Sequence, residues 1–466
     1  MRAYLTFLAA GALTPLLPAQ TVQAHYAQYL ITSTMSAHPE LQKMGIHTAS
    51  QGNDRETIIA CSVPSKIGKE SSPADLEVEK AGKPAVKMVT DRSFYDLALP
   101  LTDASHHPIG MIVMEMRFNG ANTADDAVTK AQQITDAIEA KIPNRDALFG
   151  AGPRSQPLVL WESTPLPDIT GDFDHLAVDE GNNRLYISAE VHHTIEVFDL
   201  KTGAHLQSAG GVKTPHTIIF VPEKQQLLVA DGGDNSCVFL DVRDMHSVAR
   251  VELEADPDAG VYDRGKHIFY VGNGGRGAKQ PFSYITAISA DKAKQVGRIR
   301  VEAANLEAMA IDQAKNLLYV NMRDKNQIGV VDLAKNQVVN VWSIPGMNLN
   351  TPMELDETNH RLFVAGRKPG KFFVIDSNSG KLVQTLDSVE TADDMTFDPE
   401  SKRIYVTGSS GVAIYYQDSP DQYSLVEEFG TNGGKTSTYD AALKRFYIVH
   451  PKTAEDMAGL QVYAVQ

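Results

Sequence analysis

The chain has 466 residues, 42% of them hydrophobic and 22% charged, with a formal net charge of −15. These are the proportions of a folded globular protein, which excludes disordered, collagen-like and coiled-coil chains. The acidic balance excludes a general nucleic-acid binder. Two cysteines, Cys61 and Cys237, and the absence of any CxxC exclude a disulfide framework, a multi-cysteine metal cluster and c-type haem.

Met1-Arg2 precedes an apolar run over 3–17, and small residues then offer two cleavage points, after Ala19 (Leu-Pro-Ala) or after Ala24 (Val-Gln-Ala). About fifteen apolar residues with this exit suit a secretory signal peptide (1–24) better than a spanning helix, which needs ~20. No later segment is long enough to span a membrane, so the expectation is a soluble periplasmic or secreted protein. Its two cysteines fall in separate domains and are not expected to pair.

Residues 25–118 read as a small α+β domain. A helix is expected over 21–37, with Val22, Tyr26, Tyr29, Leu30 and Met35 on one face. A short strand follows over 57–61, Ser72-Pro73-Ala74-Asp75-Leu76 opens a second helix, and 95–101 pairs with 110–118 as a hairpin. The run Ile58-Ile59-Ala60, Ile67-Gly68-Lys69-Glu70-Ser71, Gly82-Lys83-Pro84, Leu99-Pro100-Leu101 and Pro108-Ile109-Gly110 resembles a single Cache (PAS-like) sensor domain. That resemblance implies an antiparallel sheet cradling a small ligand. A helix over 123–141, stopped by Pro143, and a linker complete 119–154.

From 155 to the end the chain repeats. Seven triplets recur: Leu185-Tyr186-Ile187, Leu227-Leu228-Val229, Phe269-Tyr270-Val271, Leu318-Tyr319-Val320, Leu362-Phe363-Val364, Ile404-Tyr405-Val406 and Phe446-Tyr447-Ile448. Six residues before them stand Asp179, Val221, Asp263, Asp312, Asp356, Asp398 and Asp440: six acids where composition alone would place about one. Spacings of 42, 42, 49, 44, 42 and 42, filled by short strands and Asn/Gly/Asp turns, are the sequence form of four-stranded propeller blades. The last unit lacks a fourth strand, and the orphan strand 157–162 is expected to supply it. The fold class is therefore an all-β seven-bladed β-propeller over 155–466 behind the smaller PAS/Cache-like domain. The triplets, Tyr405-Val406-Thr407-Gly408 above all, resemble the YVTN family of propellers, which implies an extracytoplasmic location more than an activity.

Chemistry is expected where the first strand of each blade begins, at the mouth of the channel. The residues there are Asp174, His216, Asp258, Glu307, Thr351, Asp393 and Lys435, with His175 and Asp394 adjacent. Asp174, His216, Asp258 and Glu307 form an arc of carboxylate and imidazole suited to a divalent cation; a solvated polar ring is the alternative. Arg276, Arg323, Arg367 and Lys435 form a basic sector on the same face that could hold an anionic group. Gly272-Asn273-Gly274-Gly275-Arg276-Gly277 joins two strands and is not a phosphate loop. The leading expectation is a binding or interaction protein whose loop face recognises a small anionic ligand or a protein partner. The alternative is a hydrolase at the channel mouth, which resembles metal-dependent lactonases in outline; a purely structural role is the third.

Overall fold

The computed structural model describes residues 24–49, 55–150 and 157–466, together with the backbone of 20–21. The apolar run of the expected signal peptide lies outside the described residues, as does the end of the expected linker.

Six four-stranded antiparallel sheets follow one another in chain order from Leu176 to Phe429. A seventh is built from Thr436–Asp440, Arg445–His450 and Ala458–Val465, and its outer place is taken by Leu158–Leu166. The first strand of the first sheet packs on the first strand of the last, so the sheets form a closed β-propeller ring. The closing strand is thus Leu158–Leu166, running four residues past the 157–162 expected from the sequence. Gln20–Thr21 adds to its outer edge opposite Glu162 and Ser163.

Each sheet is apolar on both faces, and neighbours share cores. Tyr447, Val449, Leu460 and Val462 of blade 7 pack with Leu185, Ile187 and Phe198 of blade 1. Cys237, on the third strand of blade 2, is a buried member of the core shared with blade 3. The six aspartates all accept a backbone N–H from their own turn: Asn182 to Asp179, Lys266 to Asp263, Lys315 to Asp312, Asn359 to Asp356, Glu400 to Asp398 and Leu443 to Asp440.

The N-terminal module is a five-stranded antiparallel sheet in the spatial order Glu56–Cys61, Leu41–Ala49, Pro108–Arg117, Phe94–Thr102, Ala85–Val89. Helices α1 (His25–Ala37) and α3 (Ala124–Glu139) pack on the sheet face carrying Met44, Ile46, Leu97, Leu99, Ile112 and Met114. Helix α2 (Pro73–Ala81) contacts the hairpin strands and opens with a capping box between Ser72 and Asp75. Helix α1 begins at His25, not at residue 21, because Gln20–Thr21 is extended on the propeller edge.

The module is docked on the propeller. Val63 and Ile67 enter a core with Leu158, Leu160, Phe429 and Tyr463, and Cys61, also buried and unpaired with Cys237, lies in the same cluster. Ser65 Oγ donates to Asp456 at 2.6 Å, Asn432 donates to the Ser62 carbonyl at 3.0 Å, and His25 stacks on Trp161 at 5.1 Å.

Candidate functional site at the channel mouth

The inner strand of each blade runs away from the mouth, and four of them start with a break in register. The breaks fall between Pro215 and Ile218, Leu306 and Met309, Asn350 and Met353, and Ala392 and Asp394. His216, Glu307, Thr351 and Asp393 therefore sit on bulges. An extra residue unpaired from the ladder re-aims its side chain, which is how a strand start presents a functional group.

Three of the four expected cation ligands converge. Donor atoms of Asp174, His216 and Asp258 lie within 4.8 Å of one another. His216 Nδ1 stands 2.7 Å from Asp174 Oδ2 and 3.6 Å from Asp258 Oδ1. Glu307 does not join them; its carboxylate accepts from Arg323 at 2.7 Å and from Asn305 at 3.2 Å. The cluster continues the other way through His175, whose Nε2 is 3.4 Å from Asp174 and whose Nδ1 is 2.8 Å from Asp394. Gly232 is needed beside His216, since a Cβ there would stand 2.9 Å from the ring nitrogen Nε2.

The basic sector is not open. Arg323 is held by Glu307, and Arg367 pairs with Asp393, which also takes Lys435. Lys435 lies 3.4 Å from Asp172 as well. Arg276 alone of the four is exposed on the blade-3 loop with no ion-pair partner among the described residues. The physical reason is local: buried carboxylates at a channel mouth attract the nearest cations, and loop arginines can reach them.

The electrostatics follow from these contacts. Burial alone would lower both histidines, but carboxylates outweigh it: Asp394 and Asp174 raise His175 well above its ordinary value, and Asp174 and Asp258 bring His216 to about 9. Asp174 is held below the usual carboxylate range because His175 and His216 overcome its burial. Asp258 moves the other way, to about 7, because burial is reinforced by Glu307 and Asp174 and only partly offset by His216. At neutral pH the His216 imidazolium already supplies positive charge between two carboxylates. A divalent cation would fit the donor set, two carboxylate oxygens and one imidazole nitrogen, on giving up that proton.

Below the ring, a cavity of about 180 Å³ is lined by ring residues His175, Asp393 and Asp394 and by inner-strand residues including Met309, Met353, Met395 and Glu354. Glu354 went unnoticed in the sequence because it stands between apolar residues of a strand without any motif.

No protein-family model and no curated protein matches the chain. Among solved structures, the hydrazine synthase of Kuenenia stuttgartiensis is similar with a TM-score of 0.52 and 15% identity, covering 62% of this chain and 98% of that one. A chain of a mitotic checkpoint complex is similar with a TM-score of 0.54 and 13% identity, covering 65% of this chain and 90% of that one. At such identities the likeness is one of fold, and the fold shared is the β-propeller.

Proposed function

We propose that this is an exported binding protein of the YVTN type that recognises its ligand or protein partner on the loop face of the propeller, with a Cache-like N-terminal module. The observation that carries the reading is the set of polar groups on bulged strand starts, held in place by one another across adjacent blades. Groups fixed by packing and by second partners cost little to order when a ligand arrives. The structural neighbours, one of them from a multi-protein complex, agree with a binding role in general terms. Export rests on the N-terminal sequence alone, and the ligand-sensing role of the module on its resemblance.

A second reading is favoured by one observation, the convergence of Asp174, His216 and Asp258. These residues would hold a divalent cation, which supplies Lewis-acid polarisation of a carbonyl when bound. The chain would then be a lactonase-like hydrolase with its site at the channel mouth.

Elemental analysis of the purified protein separates the two. The hydrolase reading expects near one equivalent of a divalent metal, lost in His216→Ala and Asp258→Asn, with lactone hydrolysis abolished by chelation. Wild-type protein that stays metal-free after incubation with calcium, magnesium, manganese and zinc ends that reading. The binding reading expects native mass spectrometry to show a non-metal ligand retained by the wild type and lost when Arg276, Asp258 and Glu307 are replaced together. Retention of the same ligand by that triple variant rejects the loop face as its site.

A further inference from the structure

The channel cavity has its own chemistry, independent of the metal question. Its volume of about 180 Å³ equals the liquid share of about six waters, enough for a small organic molecule. Its wall is mixed: polar groups supply the larger share, and Leu176, Ile218, Ile219, Met309, Met353 and Met395, from five different blades, supply an apolar part. The three methionines occupy the same position on consecutive inner strands, three residues before Asp312, Asp356 and Asp398. Thioether chains make a soft, polarisable wall that adapts to an alkyl group.

Among the charged residues lining this cavity, the carboxylates of the roof are already neutralised. Asp393 takes Arg367 and Lys435; Asp394 takes His175 and the backbone N–H of Ser437 at 2.9 Å. Glu354 is different. Among the described residues no basic side chain pairs with it, and only the backbone of Leu355 supports its charged form. Burial and the nearby Asp394 push it up to about 7. Thr217, 5% exposed, lines the same cavity, and its hydroxyl has no hydrogen-bond partner among the described residues. A buried carboxylate without a counter-charge is a costly arrangement that a cationic ligand relieves.

We propose that the propeller channel is a binding site for a small primary alkylammonium ion, its N–H groups donating to Glu354 and Thr217 and its alkyl part lying against Met309, Met353 and Met395. A bare metal ion suits the site less well, because the wall would leave most of its coordination shell unfilled. Entry is from the mouth, since His175, Asp393 and Asp394 form the upper lining.

Calorimetric titration of the full chain at pH 8, where Glu354 is mostly ionised, tests this with n-propylammonium chloride, n-propanol and potassium chloride. Saturable binding is expected for propylammonium only, weakened at least tenfold in Glu354→Gln and weakened in wild type as the pH is lowered from 8 to 6. The metal content of Glu354→Gln should equal that of wild type, so that this site and the Asp174–His216–Asp258 cluster succeed or fail separately. Equal binding of propanol overturns the proposal, because the charge then plays no part. So does displacement of propylammonium by equimolar potassium, undiminished binding in a folded Glu354→Gln, or no binding to wild type.

Discussion

Single residues in this molecule are fixed mostly by what burial does to their charge. His47 shows the case in the N-terminal module. It lies 5% exposed on the strand Leu41–Ala49, where its Nδ1 meets the Ser71 hydroxyl at 3.1 Å. Burial, partly countered by Asp75, lowers it to about 4. The folded state therefore binds a proton less readily than the unfolded chain, and stability is intact above pH 6.5. It is lost as the pH falls from about 6.5 through about 4, a cost on the order of 3 kcal/mol when complete. His47→Gln should remove that part of the acid sensitivity. The check is thermal melting of both proteins at pH 7.5 and pH 4.5: the wild type should lose more stability over this interval than the variant. Equal losses would show that His47 takes no part in the acid response.

The elements of the propeller are joined by a device visible only in the folded ring. The triplet tyrosines are buried, and two of them reach the adjacent blade: Tyr319 donates to the Ser377 carbonyl at 2.9 Å and Tyr447 to the Leu200 carbonyl at 2.7 Å. Each acceptor follows an aspartate that ends a third strand, Asp376 or Asp199. Tyr447 thus ties blade 7 to blade 1, while Leu158–Leu166 closes blade 7 itself. Leu160 pairs with Tyr463 in that closure and is 5% exposed beneath the N-terminal module. A charge there would be buried without a partner and would cost several kcal/mol. Leu160→Asp is expected to speed hydrogen exchange in Ala458–Val465 and in helix α1 while leaving blades 3 and 4 protected; unchanged exchange at the seam would mean that the strand is not what closes the ring. The blades were legible in the sequence because turn aspartates, triplets and spacing are local. The strand Leu41–Ala49 was not, because Lys43, Gly45 and His47 interrupt its apolar pattern. Nor were the pairs Arg323–Glu307, Arg367–Asp393 and His175–Asp394. Arg323 and Glu307, 16 residues apart, meet at the open end of one hairpin of blade 4, where a register break lies. The other two pairs, 26 and 219 residues apart, join different blades and meet only because a ring brings strand ends to one circle.

At the scale of the whole molecule, the start of the chain acts on both parts at once. The proposed export signal offers two points of cleavage, after Ala19 or after Ala24, and their consequences for the fold differ. Cleavage after Ala24 would remove Gln20–Thr21, the strand laid against Glu162 and Ser163 at the edge of blade 7. It would also remove the Ala24 carbonyl, which accepts from the Gln28 N–H at 2.9 Å in the first turn of α1, and Ala24 itself is 1% exposed. The new amino terminus would then sit on His25, whose ring stacks on Trp161, the ring that also carries the Arg445 guanidinium at 4.6 Å. A second positive charge beside Arg445 at the positive end of a helix is unfavourable on both counts. Cleavage after Ala19 keeps the strand, the helix acceptor and the neutral His25 environment together. If the N-terminal segment is removed as the proposed export signal, intact mass and N-terminal sequencing of the processed chain should therefore show it beginning at Gln20. A mature chain beginning at His25 would mean that neither the edge strand nor the Ala24 carbonyl is required to hold the module against blade 7.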